Sequence, residues 1–214
     1  MTTPLIIVGA GGFGREVLDV VEAVNRAATV PKFDLLGVVD ANPSQKNLAR
    51  LTERGITFLG TDSTWRRSGT EAQFLIGIGS PEVRRRINVE FVADGFEAAI
   101  AVHPAASIGS AGTIGAGSVV CAGVQVSTNV VIGRHVHLNP NAIVGHDAVL
   151  HDFVSVNPGG TISGDVLVGA RSLIGAGAVI LQGLSIGRGS VVGASACVTR
   201  DVPDGSVVKG VPAR

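Results

Sequence analysis

The feature that most limits the fold is an aliphatic residue at every sixth position in the second half of the chain. Val, Ile or Leu occupies all 17 positions of this series, from Val102 to Val198, without an insertion. A glycine often follows the aliphatic residue, and a small residue often stands four positions after it. A six-residue unit of this kind is typical of one strand and one corner of a parallel β-helix. Three units make one triangular coil, so the series predicts between five and six coils.

Residues 1–100 instead alternate between strand-like and helix-like segments. Apolar runs over 5–8, 35–39 and 74–78 are each followed by glycine or aspartate, and helical spacing is found over 16–24 and 81–92. Strands that alternate with helices predict a small parallel sheet with right-handed crossovers. The second helical segment carries Arg84, Arg85 and Arg86, which we expect on its polar side. We therefore predict two domains: an α/β Rossmann-like half domain over 1–100 and an all-β left-handed parallel β-helix of hexapeptide repeats over 101–214.

A glycine-rich loop, GAGGFG over residues 9–14, lies between the first strand and the first helix. It matches the G-x-G-x-x-G pattern, and Asp40 lies at the end of the next strand. The pattern predicts a phosphate at the helix N-terminus and Asp40 near a ribose. An NAD-dependent enzyme is one interpretation, but a hundred residues hold only half of a dinucleotide fold, which favours a nucleotide-activated sugar. A turn whose glycines serve only close packing is the remaining alternative.

Polar residues interrupt the middle coils, and they are the candidates for chemistry. Residues three units apart share a column, with coils about 4.8 Å apart, so His146 lies between Thr128 and Gly164. His146 followed by Asp147 suits general-base catalysis, in which the carboxylate orients the ring. A backbone N–H of Gly164 would stabilise negative charge on a thioester oxygen. A solvated corner histidine on a non-catalytic scaffold is the alternative. The polar residues of these coils are His135, His137, Asn139, Asn141, His146, Asp147, His151, Asp152 and Asn157.

A zinc site is a competing interpretation of the histidines. A β-helix carbonic anhydrase binds zinc through three histidines of neighbouring subunits, and His146 and His151 have the five-residue separation of two such ligands. The third ligand is expected two coils before His146, where this chain has Ser110. We therefore expect no metal. Cys121 and Cys197 are expected to be small core or corner residues and not nucleophiles.

Charge and composition exclude several kinds of partner. Lys and Arg together number 17, as do Asp and Glu, so no net field attracts nucleic acid or an anionic membrane. The apolar run at the N-terminus is too short for a signal or membrane helix, and two cysteines do not make a disulfide framework. We expect a cytoplasmic protein with no nucleic-acid partner and no membrane insertion.

Four segments together resemble the sialic-acid O-acetyltransferase family, the NeuD/PglD-type sugar acyltransferases of the hexapeptide-repeat superfamily. They are IIVGAGGFGREV, LIGIGSPEVRRRI, GHDAVLHDFVSVNPGGTISGDVLVG and DVPDGSVVKGVPAR, and the resemblance covers essentially the whole chain. It implies a homotrimer with active sites between adjacent β-helices and acetyl transfer from acetyl-CoA. The best-understood members N-acetylate a UDP-linked 4-amino sugar.

The resemblance also implies roles for single residues. His146 is similar to the family's general base, Asp147 to the acidic residue that raises its basicity, and Gly164 to the backbone donor to the thioester oxygen. Ser155 stands where the family usually has a second histidine that contacts the acetyl donor, and Phe13 where a histidine is often found. The implied nucleotide-sugar contacts are Gly11, Gly12, Phe13, Asp40, Gly79 and Ser80. The implied acetyl-CoA contacts are Ser155, Ala176 and Ala194.

We therefore predict an acetyl-CoA-dependent N-acetyltransferase that acts on a nucleotide-activated amino sugar by direct attack, with a histidine base and no acyl-enzyme. An O-acetyltransferase on sialic acid or a polysaccharide sugar is the first alternative. A zinc-dependent, carbonic-anhydrase-like β-helix or a non-catalytic scaffold is the second.

Overall fold

The protein is described by a computed structural model that covers residues 2–214. It divides into two compact units, residues 1–101 and 102–214. In its described residues, the first unit contains, in chain order, β1 (Thr3–Val8), α1 (Gly12–Ala27), β2 (Phe33–Val39), α2 (Gln45–Glu53), α3 (Asp62–Arg66), β3 (Gln73–Ile76) and α4 (Pro81–Ala93). The predicted strand over 74–78 thus ends earlier than expected, at Ile76.

The three strands of the first unit form a parallel sheet in the order β2-β1-β3. Strand β1 is central, and the next two strands along the chain pair on opposite sides of it: β2 on one side and β3 on the other. This change of direction creates a topological switch point beside β1. The apolar run Leu5–Val8 is buried at the centre of the sheet. Phe74 of β3 packs on Phe91 of α4, with ring centroids 4.7 Å apart. The predicted Rossmann-like half domain is confirmed.

The expectation that Arg84 lies on the polar side of α4 is wrong. Its side chain is fully buried, and it donates hydrogen bonds to the carbonyls of Ile78 (2.9 Å) and Gly79 (3.2 Å). Burial lowers the pKa of Arg84 to about 9, so the guanidinium is still charged at neutral pH. Arg85 follows the prediction, because it pairs with Glu82 at the surface (2.8 Å). Helical spacing could not reveal that carbonyls after β3 accept the Arg84 guanidinium.

The second unit is a left-handed parallel β-helix built from three parallel sheets, which we call faces 1, 2 and 3. Face 1 contains β4 (Ala101–Val102), β7 (Val119–Val120), β10 (His137–Leu138), β13 (Ser155–Val156), β16 (Leu173–Ile174), β19 (Val191–Val192) and β21 (Val207–Val208). Face 2 contains β5 (Ser107–Ile108), β8 (Gln125–Val126), β11 (Ile143–Val144), β14 (Thr161–Ile162), β17 (Val179–Ile180) and β20 (Cys197–Val198). Face 3 contains β6 (Thr113–Ile114), β9 (Val131–Ile132), β12 (Val149–Leu150), β15 (Leu167–Val168) and β18 (Ser185–Ile186).

Strands β4–β20 coincide with the predicted six-residue units, so the predicted repeat is confirmed. From Val120 onward, the aliphatic residue of each unit points inward and is buried. Neighbouring strands of one face come from successive coils and pair in register, for example Val126 beside Val144. Residues three units apart therefore form the expected columns along the β-helix.

The corners between faces have a common backbone shape. The residue three positions after each aliphatic residue, from Ala111 to Ser195, has φ between 53° and 80°. This left-handed region is strained for most side chains, although Asn and Asp tolerate it. Asn129 (φ 59°) and Asp147 (φ 60°) occupy it in successive coils.

The β-helix continues past Val198, where the regular series ends. Val202 forms a bridge with Ile186, and β21 pairs with β19 through Val208 and Val192. An unbroken series would have placed positions 204 and 210 beside Ile186 and Val192, so the last coil is shorter than the others. A strict period of six cannot detect such a coil. No helix in residues 2–214 is long and apolar enough to cross a membrane.

Candidate active site

His146 and Asp147 form a hydrogen-bonded pair at a corner between faces 2 and 3. The imidazole Nδ1 lies 2.7 Å from Oδ2 of Asp147. An ionised carboxylate can only accept, so a neutral ring paired with it carries its proton on Nδ1 and leaves the lone pair of Nε2 free. The His146 side chain is 63% exposed. An incoming amine or hydroxyl can therefore reach Nε2 from solvent.

The backbone of this corner is held by the coils on both sides of it. The N–H of Asp147 donates to the carbonyl of Thr128 (3.1 Å), and the N–H of Asp165 donates to the carbonyl of His146 (2.8 Å). The left-handed φ of Asp147 turns its side chain back toward its neighbour in sequence. Local backbone geometry therefore brings two consecutive residues into side-chain contact.

The carboxylate of Asp147 has a second partner in the preceding coil. Nδ2 of Asn129 donates to its Oδ1 at 3.0 Å. Hydrogen bonds from His146, and then from Asn129, hold the pKa of Asp147 below its usual range. Asp147 is consequently an anion at neutral pH, which is the form that orients a basic imidazole.

Gly164 packs directly against the imidazole ring. A Cβ placed on this residue would lie 2.5 Å from Nε2 and 2.6 Å from Cε1 of His146, so only glycine leaves room for the ring. Within residues 2–214 the Gly164 N–H donates to no protein acceptor. Arg134 stands at the equivalent position after a strand of face 3, and its N–H does have a protein acceptor, Oδ1 of Asp152 (2.8 Å). The site thus combines a proton acceptor with an available backbone donor.

The glycine-rich loop follows β1 at the switch point of the first unit. A Cβ on Gly14 would overlap the Gly9 carbonyl, and Gly9 itself has φ 113°. Around Gly11 and Gly12, by contrast, a Cβ would meet nothing within 4 Å. Close packing therefore explains Gly9 and Gly14 but not Gly11 and Gly12, whose backbone is left open to an approaching group.

The two helices that begin at this edge of the sheet differ at their N-termini. Gly11 caps α1 without a side-chain hydrogen bond, and the first turn has no acidic residue, so this helix N-terminus favours an anion. Ser80 caps α4 with its own hydroxyl, which accepts from the Val83 N–H at 3.5 Å, and Glu82 lies in the first turn. Of the two helices, α4 has a side-chain cap and α1 does not.

Asp40 is tied to the glycine-rich loop. Its Oδ2 accepts from the Ala10 N–H (2.7 Å) and its Oδ1 from the Asn42 N–H (2.9 Å). Each oxygen retains a further lone pair. Of the remaining expected nucleotide contacts, Phe13 is half-buried and Gly79 is exposed. Ala10 and Asn42 are partners of Asp40 that the sequence pattern did not identify.

Comparison with known proteins relates both units to sugar acyltransferases. Residues 4–91 match a protein family described as the PglD N-terminal domain. A mutant of perosamine N-acetyltransferase from Caulobacter crescentus, in complex with CoA and GDP-perosamine, has a TM-score of 0.87 at 29% identity and covers 99% of this chain and 95% of its own. The acetyltransferase domain of PglB from Neisseria gonorrhoeae FA1090 has a TM-score of 0.86 at 29% identity, with coverage of 100% and 99%.

The chain is thus similar to the NeuD/PglD-type sugar acyltransferases over its whole length, and residues 4–91 match the PglD N-terminal domain. This similarity supports an acyltransferase activity. WeeI from Acinetobacter baumannii AYE is similarly related, with a TM-score of 0.85 at 27% identity and coverage of 100% of this chain and 99% of its own. No significant match was found among curated protein sequences.

The residues expected to contact acetyl-CoA lie away from His146 within one chain. Ser155 is buried on face 1, beside His137 and Leu173. Ala176 and Ala194 are exposed at corners between faces 1 and 2, one coil apart. Neither location borders the corner between faces 2 and 3, so the structure does not bring these residues to the His146–Asp147 pair in a single chain.

The other histidines of the middle coils have different surroundings from His146. His135 and His137 are buried, and the ring of His135 stacks on Phe153 with centroids 5.2 Å apart. His151 is exposed at a corner between faces 3 and 1, so it does not share a corner with His146. In residues 2–214, no three side chains of His, Cys, Asp or Glu are grouped to hold a metal ion. Cys121 is buried, and Cys197 is half-buried in β20.

Asn129 is a partner of the His146–Asp147 pair that the sequence patterns above did not identify. It stands one coil before Asp147, so the column rule that placed Thr128 below His146 also places Asn129 below Asp147. The 18-residue spacing therefore predicts Asn129 as a neighbour of Asp147, in the column next to that of His146.

Proposed function

We propose that the protein transfers the acetyl group of acetyl-CoA to the amine of a nucleotide-activated amino sugar. The observation that carries the proposal is the His146–Asp147 pair, which leaves Nε2 free and packs against Gly164. Relatives support the assignment, since perosamine N-acetyltransferase was crystallised with CoA and GDP-perosamine, and the PglB domain with acetyl coenzyme A.

The proposed reaction is a direct attack. The sugar amine approaches the thioester carbon of acetyl-CoA and loses a proton to Nε2 of His146, while a C–N bond forms. The Gly164 N–H stabilises the oxyanion of the tetrahedral intermediate. The C–S bond then breaks, and the proton held by His146 passes to the CoA thiolate. The products are the N-acetylated sugar and CoA thiol, and Asp147 remains ionised throughout.

The glycine-rich loop is the proposed nucleotide site. The N-terminus of α1, which no side chain caps, and the open space at Gly11 and Gly12 support phosphate binding there. Asp40 holds the loop through Ala10, and its remaining lone pairs suit a ribose hydroxyl. Phe13, Gly79 and Ser80 complete the proposed set.

We further propose that the enzyme is a homotrimer. Ser155, Ala176 and Ala194 lie away from the His146 corner of their own chain, so a site that contains all of them needs a neighbouring chain. The faces beside His146 also expose apolar side chains: Ile143 on face 2 is 42% exposed, and Val131 and Leu167 on face 3 are 45% and 42% exposed. Association would cover these apolar positions.

A turnover screen tests the proposed function. The protein is mixed with acetyl-CoA and UDP-, GDP- or dTDP-linked 4-amino sugars, and free thiol is measured, with the corresponding hydroxy sugars and sialic acid as parallel acceptors. We expect thiol release with at least one amino sugar and not with its hydroxy counterpart, unchanged by a metal chelator. Faster release with hydroxy acceptors would favour O-acetylation. Activity abolished by chelation would overturn the metal-free mechanism.

A further inference from the structure

We propose that Asn129 is a positioning residue for the catalytic pair: it fixes the Asp147 carboxylate, which in turn fixes the tautomer and orientation of His146. The geometry is a chain of two hydrogen bonds, from Nδ2 of Asn129 to Oδ1 of Asp147 (3.0 Å) and between Oδ2 of Asp147 and Nδ1 of His146 (2.7 Å). Each carboxylate oxygen therefore has one partner, on opposite sides of the group. The inference rests on the proposed function only where it concerns turnover.

The exposure of the pair explains why a third group is needed. His146 and Asp147 are 63% and 47% exposed, and an isolated surface ion pair contributes little because water competes for both partners. Asp147 alone could rotate away from the ring. An amide that donates to the distal oxygen restricts this rotation and leaves Oδ2 toward Nδ1. Outer partners commonly orient functional histidines in this way.

The backbone supports the same interpretation. Asn129 and Asp147 have nearly equal left-handed angles, φ 59° and 60°, so their side chains leave successive coils in parallel. The next member of this column is Asp165, whose N–H donates to the His146 carbonyl. The charged or titratable groups beside Asp147 are thus His146 at its own corner and Asp165 in the coil above. Asn129 is the neutral donor from the coil below, and it helps to lower the pKa of Asp147.

The first test measures the tautomer of His146 without any substrate. Ring ¹⁵N chemical shifts are recorded for labelled protein, and the His146 signals are assigned by their loss in His146→Ala. We expect the parent to favour the Nδ1–H form, and Asp147→Ala to lose that preference. Asn129→Gly should move the tautomer ratio toward that of Asp147→Ala. Glycine is the appropriate replacement because it adopts the left-handed backbone conformation of Asn129 without strain.

The second test is a double-mutant cycle on turnover. Asn129→Gly should lower kcat about 10-fold, the lower end of the cost of losing an outer partner, while KM for acetyl-CoA changes little. In the Asp147→Ala background, Asn129→Gly should lower kcat by less than about 2-fold, because the two residues act through one contact. A purely structural role for Asn129 would give equal losses in both backgrounds.

Asn141→Gly is the matched control. Asn141 also has φ 59° at a corner, but the corner lies between faces 1 and 2, and within one chain the residue forms no hydrogen bond with His146 or Asp147. It should leave the tautomer ratio unchanged. An unchanged ratio in Asn129→Gly, or additive losses in the cycle, would overturn the inference. A shifted ratio in a protein that acetylates no amino sugar would support the inference and contradict only the proposed function.

Discussion

The exposed position of His146 gives its neighbours a particular importance at the scale of single residues. Water can reach the ring freely, so burial does not hold it in place. Its position depends on Asp147 at Nδ1 and on the surface of Gly164 at Nε2. Changes at these two contacts should therefore affect catalysis more than stability.

Gly164→Ala should lower kcat about 100-fold in a folded protein, because the new methyl group displaces the imidazole and a shift of about 1 Å can cost that much. The corner itself accepts alanine, since Ala176 and Ala194 occupy the equivalent position in other corners. Steady-state kinetics measures the loss, and circular dichroism checks the fold. Ala176→Gly is unsuitable as a control because it lies at the proposed CoA site, so Ala170→Gly, at a corner between faces 3 and 1, serves instead. Parent-level turnover by Gly164→Ala would contradict the assigned ring position.

The pH dependence should reflect one protonation on its acidic side. Hydrogen bonds lower the pKa of Asp147, so its carboxylate is ionised above that depressed value and is lost only as the pH falls through it. Between about pH 5 and 7 Asp147 should therefore not gain a proton, because its pKa lies below the ordinary carboxyl value. A plot of log(kcat/KM) against pH is expected to have a limiting slope of one on this side. A slope of two would mean that Asp147 also gains a proton in the working range.

Single residues were the least predictable from the sequence. His146, Asp147 and Gly164 could be selected because consecutive coils bring positions three units apart together. The bond from Asn129 depends on side-chain direction at a left-handed corner, which residue spacing alone does not describe. Likewise, the carbonyls that accept the buried Arg84 guanidinium belong to an irregular turn after β3.

At the scale of elements, regularity decided how much could be predicted. The β-helix strands were predictable because each buries one aliphatic residue at a fixed period, whereas the shortened last coil broke that period and was missed. In the first unit, the glycine-rich loop could be recognised from its pattern. The distinct purposes of its glycines could not, since they depend on whether an added Cβ would meet backbone, as at Gly14, or open space, as at Gly11 and Gly12.

Nucleotide binding at α1 is tested by Gly12→Glu. UDP, GDP or dTDP should raise the Tm of the parent protein, because a ligand at 100 times its Kd stabilises the native state by about 2.7 kcal/mol. NAD should raise the Tm less. The glutamate should abolish the nucleotide shift by repelling phosphate. It should not unfold the helix, because an acidic residue in a first turn is favourable by about 0.3–1 kcal/mol. Gly12→Gln is the neutral control. Greater stabilisation by NAD than by every nucleoside diphosphate would overturn the mononucleotide interpretation.

At the scale of the whole molecule, the proposed active site requires more than one chain. His146 lies between faces 2 and 3, whereas Ser155 lies on face 1 and Ala176 at a corner of faces 1 and 2. Light scattering coupled to gel filtration should give three times the 21.7 kDa chain mass at micromolar concentration. Ile143→Lys, on an exposed apolar face, should weaken association and activity together. A fully active monomer would contradict the trimer.

Acetyl transfer through His146 is tested most directly by identifying the product. The protein is incubated with acetyl-CoA and the amino sugar that gives turnover, and mass spectrometry with NMR locates the new acetyl group. We predict an amide at the sugar nitrogen, formed about 10²–10⁴-fold more slowly by folded His146→Ala. An acetyl group on a hydroxyl, or an equal rate for His146→Ala, would contradict the account.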